Sequence, residues 1–93
     1  MTKSILIIGT GTIGEPLIGL LADMKKKLGL NEIIFHKRTP LIEEVAKVNS
    51  LTKRGAKLAS DEGKMHFFRK LGHKVSYTFK EALERATVVI DCT

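Results

Sequence analysis

The sequence predicts an α/β fold in which a mostly parallel β-sheet carries helices on both faces. Three observations support this prediction. Apolar runs and amphipathic stretches alternate along the 93 residues in the order β-α-β-α-β-α-β-α-β. The first run, residues 5–8, is continuously apolar, as is typical of a strand buried on both faces. It leads directly into a glycine-rich turn at residues 9–14, and a helical pattern follows that turn.

The first strand is predicted over residues 4–8, and the helix after it carries one apolar face. Pro16 lies in the first turn of this helix, where its missing N–H costs little. The lysines at 25–27 would occupy the last turn, and Gly29 is suited to a C-terminal cap. The apolar face consists of residues at three- and four-residue spacing, namely Ile13, Leu17, Leu20, Leu21, Met24 and Leu28.

The second strand is predicted over residues 31–35. Thr39 then has the character of an N-cap, with Pro40 at the first helical position. The helix is expected to end before Gly55, and its apolar positions are Leu41, Val45 and Val48.

Five further elements, three strands and two helices, complete the predicted alternation. A short third strand covers residues 56–59, and Ser60 would cap a helix over residues 61–71 that Gly72 closes. A fourth strand is predicted over residues 74–77. Thr78 and Glu81 have the T-x-x-E spacing of a capping box for a brief helix. A buried fifth strand is predicted over residues 87–91.

Length and composition limit the possible classes of protein. Ninety-three residues with 43% hydrophobic and 28% charged content make one small globular domain, residues 1–93. One cysteine, Cys92, excludes an intramolecular disulfide framework, and no metal site is expected. No signal peptide or membrane helix is predicted, so a cytoplasmic location without membrane partners is expected. The net charge of +6 favours anionic partners.

The glycine turn, G-T-G-T-I-G, matches the dinucleotide-binding pattern G-x-G-x-x-G. Gly9 would allow a sharp turn, Gly11 a close approach of the backbone to a diphosphate, and Gly14 tight packing of the helix on the strand. Main-chain groups of Gly11, Thr12 and Ile13 are the predicted diphosphate ligands, assisted by the positive end of the helix dipole.

Four segments of the chain together resemble the N-terminal, Rossmann-type NAD(P)-binding domain of archaeal-type glyceraldehyde-3-phosphate dehydrogenase. Their order and spacing match along nearly the whole chain, although Ile8 stands where the family usually has Asn. The segments are G-T-I-G at 11–14, H-K-R-T-P at 36–40, R-G-A-K-L at 54–58 and A-T-V-V-I-D-C-T at 86–93.

The resemblance implies a cofactor-binding part of a glycolytic oxidoreductase that forms homo-oligomers. In that family a second domain carries a nucleophilic cysteine, and that domain is absent here. We therefore expect a truncated domain that contains no catalytic residue and is not catalytic alone. By the same resemblance, Cys92 and Thr93 lie at a strand end beside the cofactor, and Cys92 is a small apolar filler rather than the nucleophile.

The end of the second strand favours NADP over NAD, with NAD also possible. NAD-selective sites usually place an acid there, whereas this chain has Lys37 and Arg38. Both cations would meet a 2′-phosphate, Lys37 as a point charge and Arg38 as a fork. The resemblance places Lys37 at this phosphate. Thr39 could add a hydroxyl, and His36 could touch the adenine or the ribose.

Two other functions stay open on the sequence alone. One is the cofactor domain of another two-domain dehydrogenase, such as a homoserine dehydrogenase-like enzyme. The other is a non-catalytic regulatory module that binds nucleotides or nucleic acid through its positive charge. The second is less favoured, because the basic residues are not grouped with exposed aromatic residues that could stack on bases.

Overall fold

A five-stranded, entirely parallel β-sheet organises the computed structural model, which describes residues 3–93. The strands are β1 (Ser4–Ile8), β2 (Glu32–His36), β3 (Lys57–Ser60), β4 (Val75–Thr78) and β5 (Val88–Asp91). The helices are α1 (Gly14–Asp23), α2 (Val45–Lys53), α3 (Met65–Lys70) and α4 (Phe79–Arg85), with short 3₁₀ helices at Ile42–Glu44 and Glu62–Lys64. The predicted α/β fold class is therefore confirmed.

The order of the strands in the sheet is β4-β3-β2-β1-β5. The first four strands follow one another in a single direction, and the chain then returns through α4 to place β5 on the other side of β1. The order of the strands thus reverses between β1 and β5. In open α/β sheets this reversal is where the carboxyl ends of the strands leave a crevice for a ligand.

Hydrophobic cores lie on both faces of the sheet. The larger core joins Ile7, Ile33 and Phe35 to side chains of α1, α2 and α3, including the fully buried Phe68. The smaller core packs Ala82 of α4 against residues of β1, β2 and β3. Every residue of β2 is buried. Helices on both faces explain why residues 5–8 of β1 and 33–35 of β2 are apolar without alternation.

Helix α1 is shorter than the sequence predicts. It ends at Asp23, so the lysines at 25–27 lie in a following turn rather than in the helix. Leu20 and Leu28 are exposed, whereas Ile18, Gly19 and Ala22 face inward. Gly19 lies against the side chain of Arg54, since an added Cβ there would lie 2.2 Å from its Nη1. The guanidinium of Arg54 crosses the helix there and pairs through two nitrogens with Asp23.

The next two helices begin later than predicted. Thr39 is not the cap of α2, because the backbone at Leu41 is still extended and a 3₁₀ turn precedes Val45. Ser60 does not cap α3 either. Its hydroxyl donates to the carbonyl of Asp61 at 3.1 Å, and Asp61 is the residue that precedes the 3₁₀ turn.

Strands β2, β3 and β4 begin one residue later than predicted, and β5 begins at Val88. β5 is not buried as expected: Val88 and Val89 are 49% and 46% exposed, because no strand lies beyond β5 among residues 3–93. The capping box of α4 is confirmed, with bonds in both directions between Thr78 and Glu81 at 2.9 and 3.1 Å. No helix in the described part of the chain has the length and apolar character needed to cross a membrane.

The amino end of the sheet is closed by a buried carboxylate, Glu32. It accepts hydrogen bonds from Tyr77, from Ser4 at 2.8 Å, from Lys57 at 2.9 Å and from Arg85 at 3.0 Å. Burial alone would raise the pKa of Glu32, but these bonds outweigh it and hold the pKa at about 2. Four strands and α4 are thereby connected around one charge.

We predict that Glu32→Gln removes an acid-sensitive part of the stability. Because the folded pKa is lowered from 4.5 to about 2, ionised Glu32 stabilises the fold above pH 4.5, and this contribution is lost as the pH falls towards 2. It amounts to about 3 kcal/mol. Urea unfolding should therefore show a variant that is less stable at neutral pH and converges with the wild type in acid.

The matched control is Glu62→Gln, because Glu62 is an exposed carboxylate in a 3₁₀ turn. It should follow the wild-type pH profile. If Glu32→Gln keeps the full acid sensitivity of the wild type, the stabilising contribution of Glu32 is refuted.

Candidate functional site

The glycine turn lies at the carboxyl ends of the central strands, where the strand order reverses. The N–H of Gly9 donates to the carbonyl of His36 at the end of β2, at 3.2 Å. On the other side, the N–H of Cys92 donates to the carbonyl of Ile8 at 2.8 Å. Residues 9–13 therefore connect β1 to α1 between the ends of β2 and β5.

The three glycines of the turn have different surroundings. Gly9 has φ +103°, and an added Cβ would lie 3.1 Å from the carbonyl oxygen of Cys92. At Gly14 an added Cβ would lie 2.1 Å from the carbonyl oxygen of Gly9. At Gly11 no atom of the described residues, apart from Gly11 and its two chain neighbours, would lie within 4 Å of an added Cβ, and φ is not positive. The fold therefore requires glycine at positions 9 and 14, but not at position 11.

The start of α1 presents main-chain N–H groups at this edge of the sheet. Thr12 and Ile13 are exposed, with Ile13 at 72%. Ile13 is the N-cap, and its side chain makes no capping hydrogen bond among the described residues. The N–H of Glu15 donates to the carbonyl of Gly11 at 3.0 Å and Pro16 has no N–H, so it is chiefly the positive end of the helix dipole that suits this end of α1 to an anionic acceptor.

A cleft of about 410 Å³ opens beside the glycine turn. All five strands contribute to it at or just after their carboxyl ends. Its lining residues are Ile8, Gly9, His36, Arg38, Asp61, Phe79 and Thr93. The cleft is therefore placed where open α/β sheets bind their ligands.

One wall of the cleft is a hydrogen-bonded pair backed by an aromatic ring. Nε2 of His36 lies 2.9 Å from Oδ1 of Asp61, and the His36 ring lies 4.3 Å from the ring of Phe79. His36 is buried, whereas the Asp61 side chain is 45% exposed. Sequence reasoning missed Asp61 because it was assigned to the start of a helix. The available signal was an acid directly after a strand.

The two basic residues after β2 are placed differently. Arg38 is exposed and lines the cleft. Lys37 is only 6% exposed, and its Nζ donates to Glu44 and, at 3.5 Å, to the hydroxyl of Thr10. The binding of Lys37 to a 2′-phosphate stays a prediction, and it would require the pair with Glu44 to separate. Thr39 is exposed in the same segment.

The end of β5 forms the remaining side of the cleft. The N–H and hydroxyl of Thr93 donate to Oδ1 of Asp91 at 3.0 and 2.6 Å, and both bonds lower the pKa of Asp91. Cys92 is partly buried against the larger core, with its Cβ 3.4 Å from the Cβ position of Gly14. Thr93 thus faces the cleft, and Cys92 packs beneath the turn.

No match to the chain is found among protein-family models, curated proteins or solved structures. Within residues 3–93, no group of three or more His, Cys, Asp or Glu residues is arranged to hold a metal ion. The function is therefore inferred from the geometry of the cleft and the glycine turn.

We predict that two alanine substitutions in the turn differ strongly in their effect on stability. Gly11→Ala should change the free energy of unfolding by less than about 1 kcal/mol, because the added methyl group points into open space. Gly14→Ala should destabilise by about 3 kcal/mol, because the methyl group overlaps the Gly9 carbonyl. Urea unfolding of both variants checks this, and equal destabilisation would contradict the difference between the two positions.

Proposed function

We propose that this chain is the NAD(P)-binding domain of an oxidoreductase resembling archaeal-type glyceraldehyde-3-phosphate dehydrogenase, with NADP favoured. The observation that carries the proposal is the open position of Gly11 at the reversal of strand order. No neighbour in the described chain requires a glycine there. A ligand that must approach the main chain closely does require one.

The diphosphate of the cofactor would be held by the main chain at Gly11, Thr12 and Ile13. Their N–H groups lie at the amino end of α1, whose dipole favours negative charge. A hydrogen bond from an N–H to a charged oxygen is stronger than one between neutral groups. The glycine turn thus supplies affinity without a charged side chain.

The adenosine half of the cofactor would occupy the cleft between His36, Arg38, Asp61 and Phe79. Arg38 would bind the 2′-phosphate through its fork of N–H donors. The exposed carboxylate of Asp61 would accept from a ribose hydroxyl, which supports binding of NAD as well. The sequence H-K-R that ends β2 contains no acid, so NADP is the favoured cofactor.

When bound, the nicotinamide group supplies hydride transfer. The proposed contribution of this chain is to bind and orient the cofactor, and no catalytic residue is assigned within it. In the family that it resembles, a separate domain provides the nucleophilic cysteine. Cys92 is not proposed as that nucleophile, since it packs beneath the turn against the larger core.

Titration with NADP tests the proposed function. The wild type should bind NADP, and Gly11→Val should weaken binding at least about tenfold, because the side chain would occupy the space proposed for the diphosphate. Isothermal titration calorimetry measures both, with circular dichroism to show that the variant is folded. The proposal fails if the wild type binds neither NADP nor NAD, or if Gly11→Val binds as the wild type does.

A second titration tests cofactor preference. Arg38→Ala should lower the affinity for NADP about 10- to 100-fold, because charge-assisted hydrogen bonds are lost, and it should leave the affinity for NAD almost unchanged. The control is Arg69→Ala, an exposed arginine at the end of α3. Equal losses for the two cofactors would show that Arg38 does not distinguish them.

A further inference from the structure

We propose that Lys37, Glu44 and Lys47 position the glycine turn from behind and do not bind the ligand themselves. Lys37 and Lys47 contact Thr10, which directly precedes Gly11, and Glu44 pairs with both lysines. We call the three residues the Thr10 clamp. The inference rests on the proposed function in one respect, since the turn that the clamp holds is the proposed diphosphate site.

Lys47 reaches the turn from α2. Its Nζ donates to the carbonyl oxygen of Thr10 at 3.1 Å and to Oε2 of Glu44 at 2.9 Å, and it forms an ion pair with Oε2 of Glu15 at 3.6 Å. Two of the three N–H donors of the ammonium are thus used in hydrogen bonds within the fold. A phosphate oxygen at Lys47 would therefore have to compete with two carboxylates and the Thr10 carbonyl.

Lys37 holds the same residue through its side chain. Its Nζ donates to Glu44 and lies 3.5 Å from Oγ1 of Thr10. Thr10 is itself buried, in contrast to the exposed Gly11 and Thr12. Two lysines therefore contact the buried Thr10, whereas Gly11 and Thr12 are accessible to a ligand.

The charges around the Thr10 clamp also argue against direct phosphate binding. Glu44 pairs with both lysines and Glu15 pairs with Lys47, so the formal charges of these four side chains sum to zero. Hydrogen bonds from Lys37 and Lys47 lower the pKa of Glu44, which keeps its carboxylate ionised at neutral pH. A 2′-phosphate placed at Lys37 would therefore also meet the negative charge of Glu44.

The substitution Glu44→Gln distinguishes two roles for the lysines, positioning of the turn and direct binding of a phosphate. If the lysines act as a clamp, loosening them should lower the affinity for NAD and for NADP alike, by about tenfold, because both cofactors contain the diphosphate. If Lys37 is instead a phosphate ligand restrained by Glu44, NADP should bind more tightly and NAD should not change. Tighter binding of NADP alone would overturn the proposal. So would any other change in affinity that is confined to one cofactor, or unchanged affinity for both.

A second experiment needs no ligand and is therefore independent of the proposed function. Backbone ¹⁵N order parameters of Thr10, Gly11 and Thr12 should be near the rigid value of about 0.85 in the wild type and fall towards about 0.6 in Lys47→Met. Order parameters of β1 should not change, which distinguishes a loosened turn from general destabilisation.

The matched control for this experiment is Lys53→Met, since Lys53 is an exposed lysine of the same helix. It should leave the order parameters of the turn at their wild-type values. The clamp is refuted if Lys47→Met also leaves them unchanged. If the clamp is confirmed but neither cofactor binds, only the proposed function fails.

Discussion

The close contact between the two ends of the glycine turn determines the rest of the site. Gly14 lies so near the carbonyl of Gly9 that α1 begins directly against the end of β1, and Cys92 packs beside both residues. Because of this contact, the amino end of α1 is held at the reversal of strand order rather than farther along the sheet. The exposed main chain at residues 11–13 and the adjacent cleft both depend on this placement.

The two ends of the sheet are organised in contrasting ways. At the amino end, Glu32 of β2 accepts hydrogen bonds from side chains of three other strands and of α4, so its charge is compensated within the fold. At the carboxyl end, Arg38 and Asp61 line an open cleft, and residues 11–13 before α1 are exposed. The buried network of hydrogen bonds and ion pairs thus lies at one end of the sheet, and the cleft that we propose as the ligand site lies at the other.

Local patterns predicted the parts of the fold that depend on local chemistry. The strand β1, the glycine turn and the capping box of Thr78 and Glu81 were predicted correctly because apolar runs, glycines and T-x-x-E have few alternatives. The failures had tertiary causes. Arg54 packs across α1 at Gly19, which brings a position without an apolar side chain to the buried face. Strand β5 lies at an edge of the sheet, which its apolar residues alone do not reveal. The partner of Lys37 was equally hidden, because Glu44 approaches it only after the fold brings the 3₁₀ turn to the end of β2.

An NMR titration of ¹⁵N-labelled protein with NADP tests the central claim most directly, because it reports the binding position residue by residue. The account predicts that the largest amide shifts occur at Gly11, Thr12, Ile13 and Arg38, with smaller shifts at Asp61 and Thr93. Amides around Glu32, at the opposite end of the sheet, should not move. Saturable shifts centred on the amino end of the sheet, or no shifts at the glycine turn at saturating NADP, would contradict it.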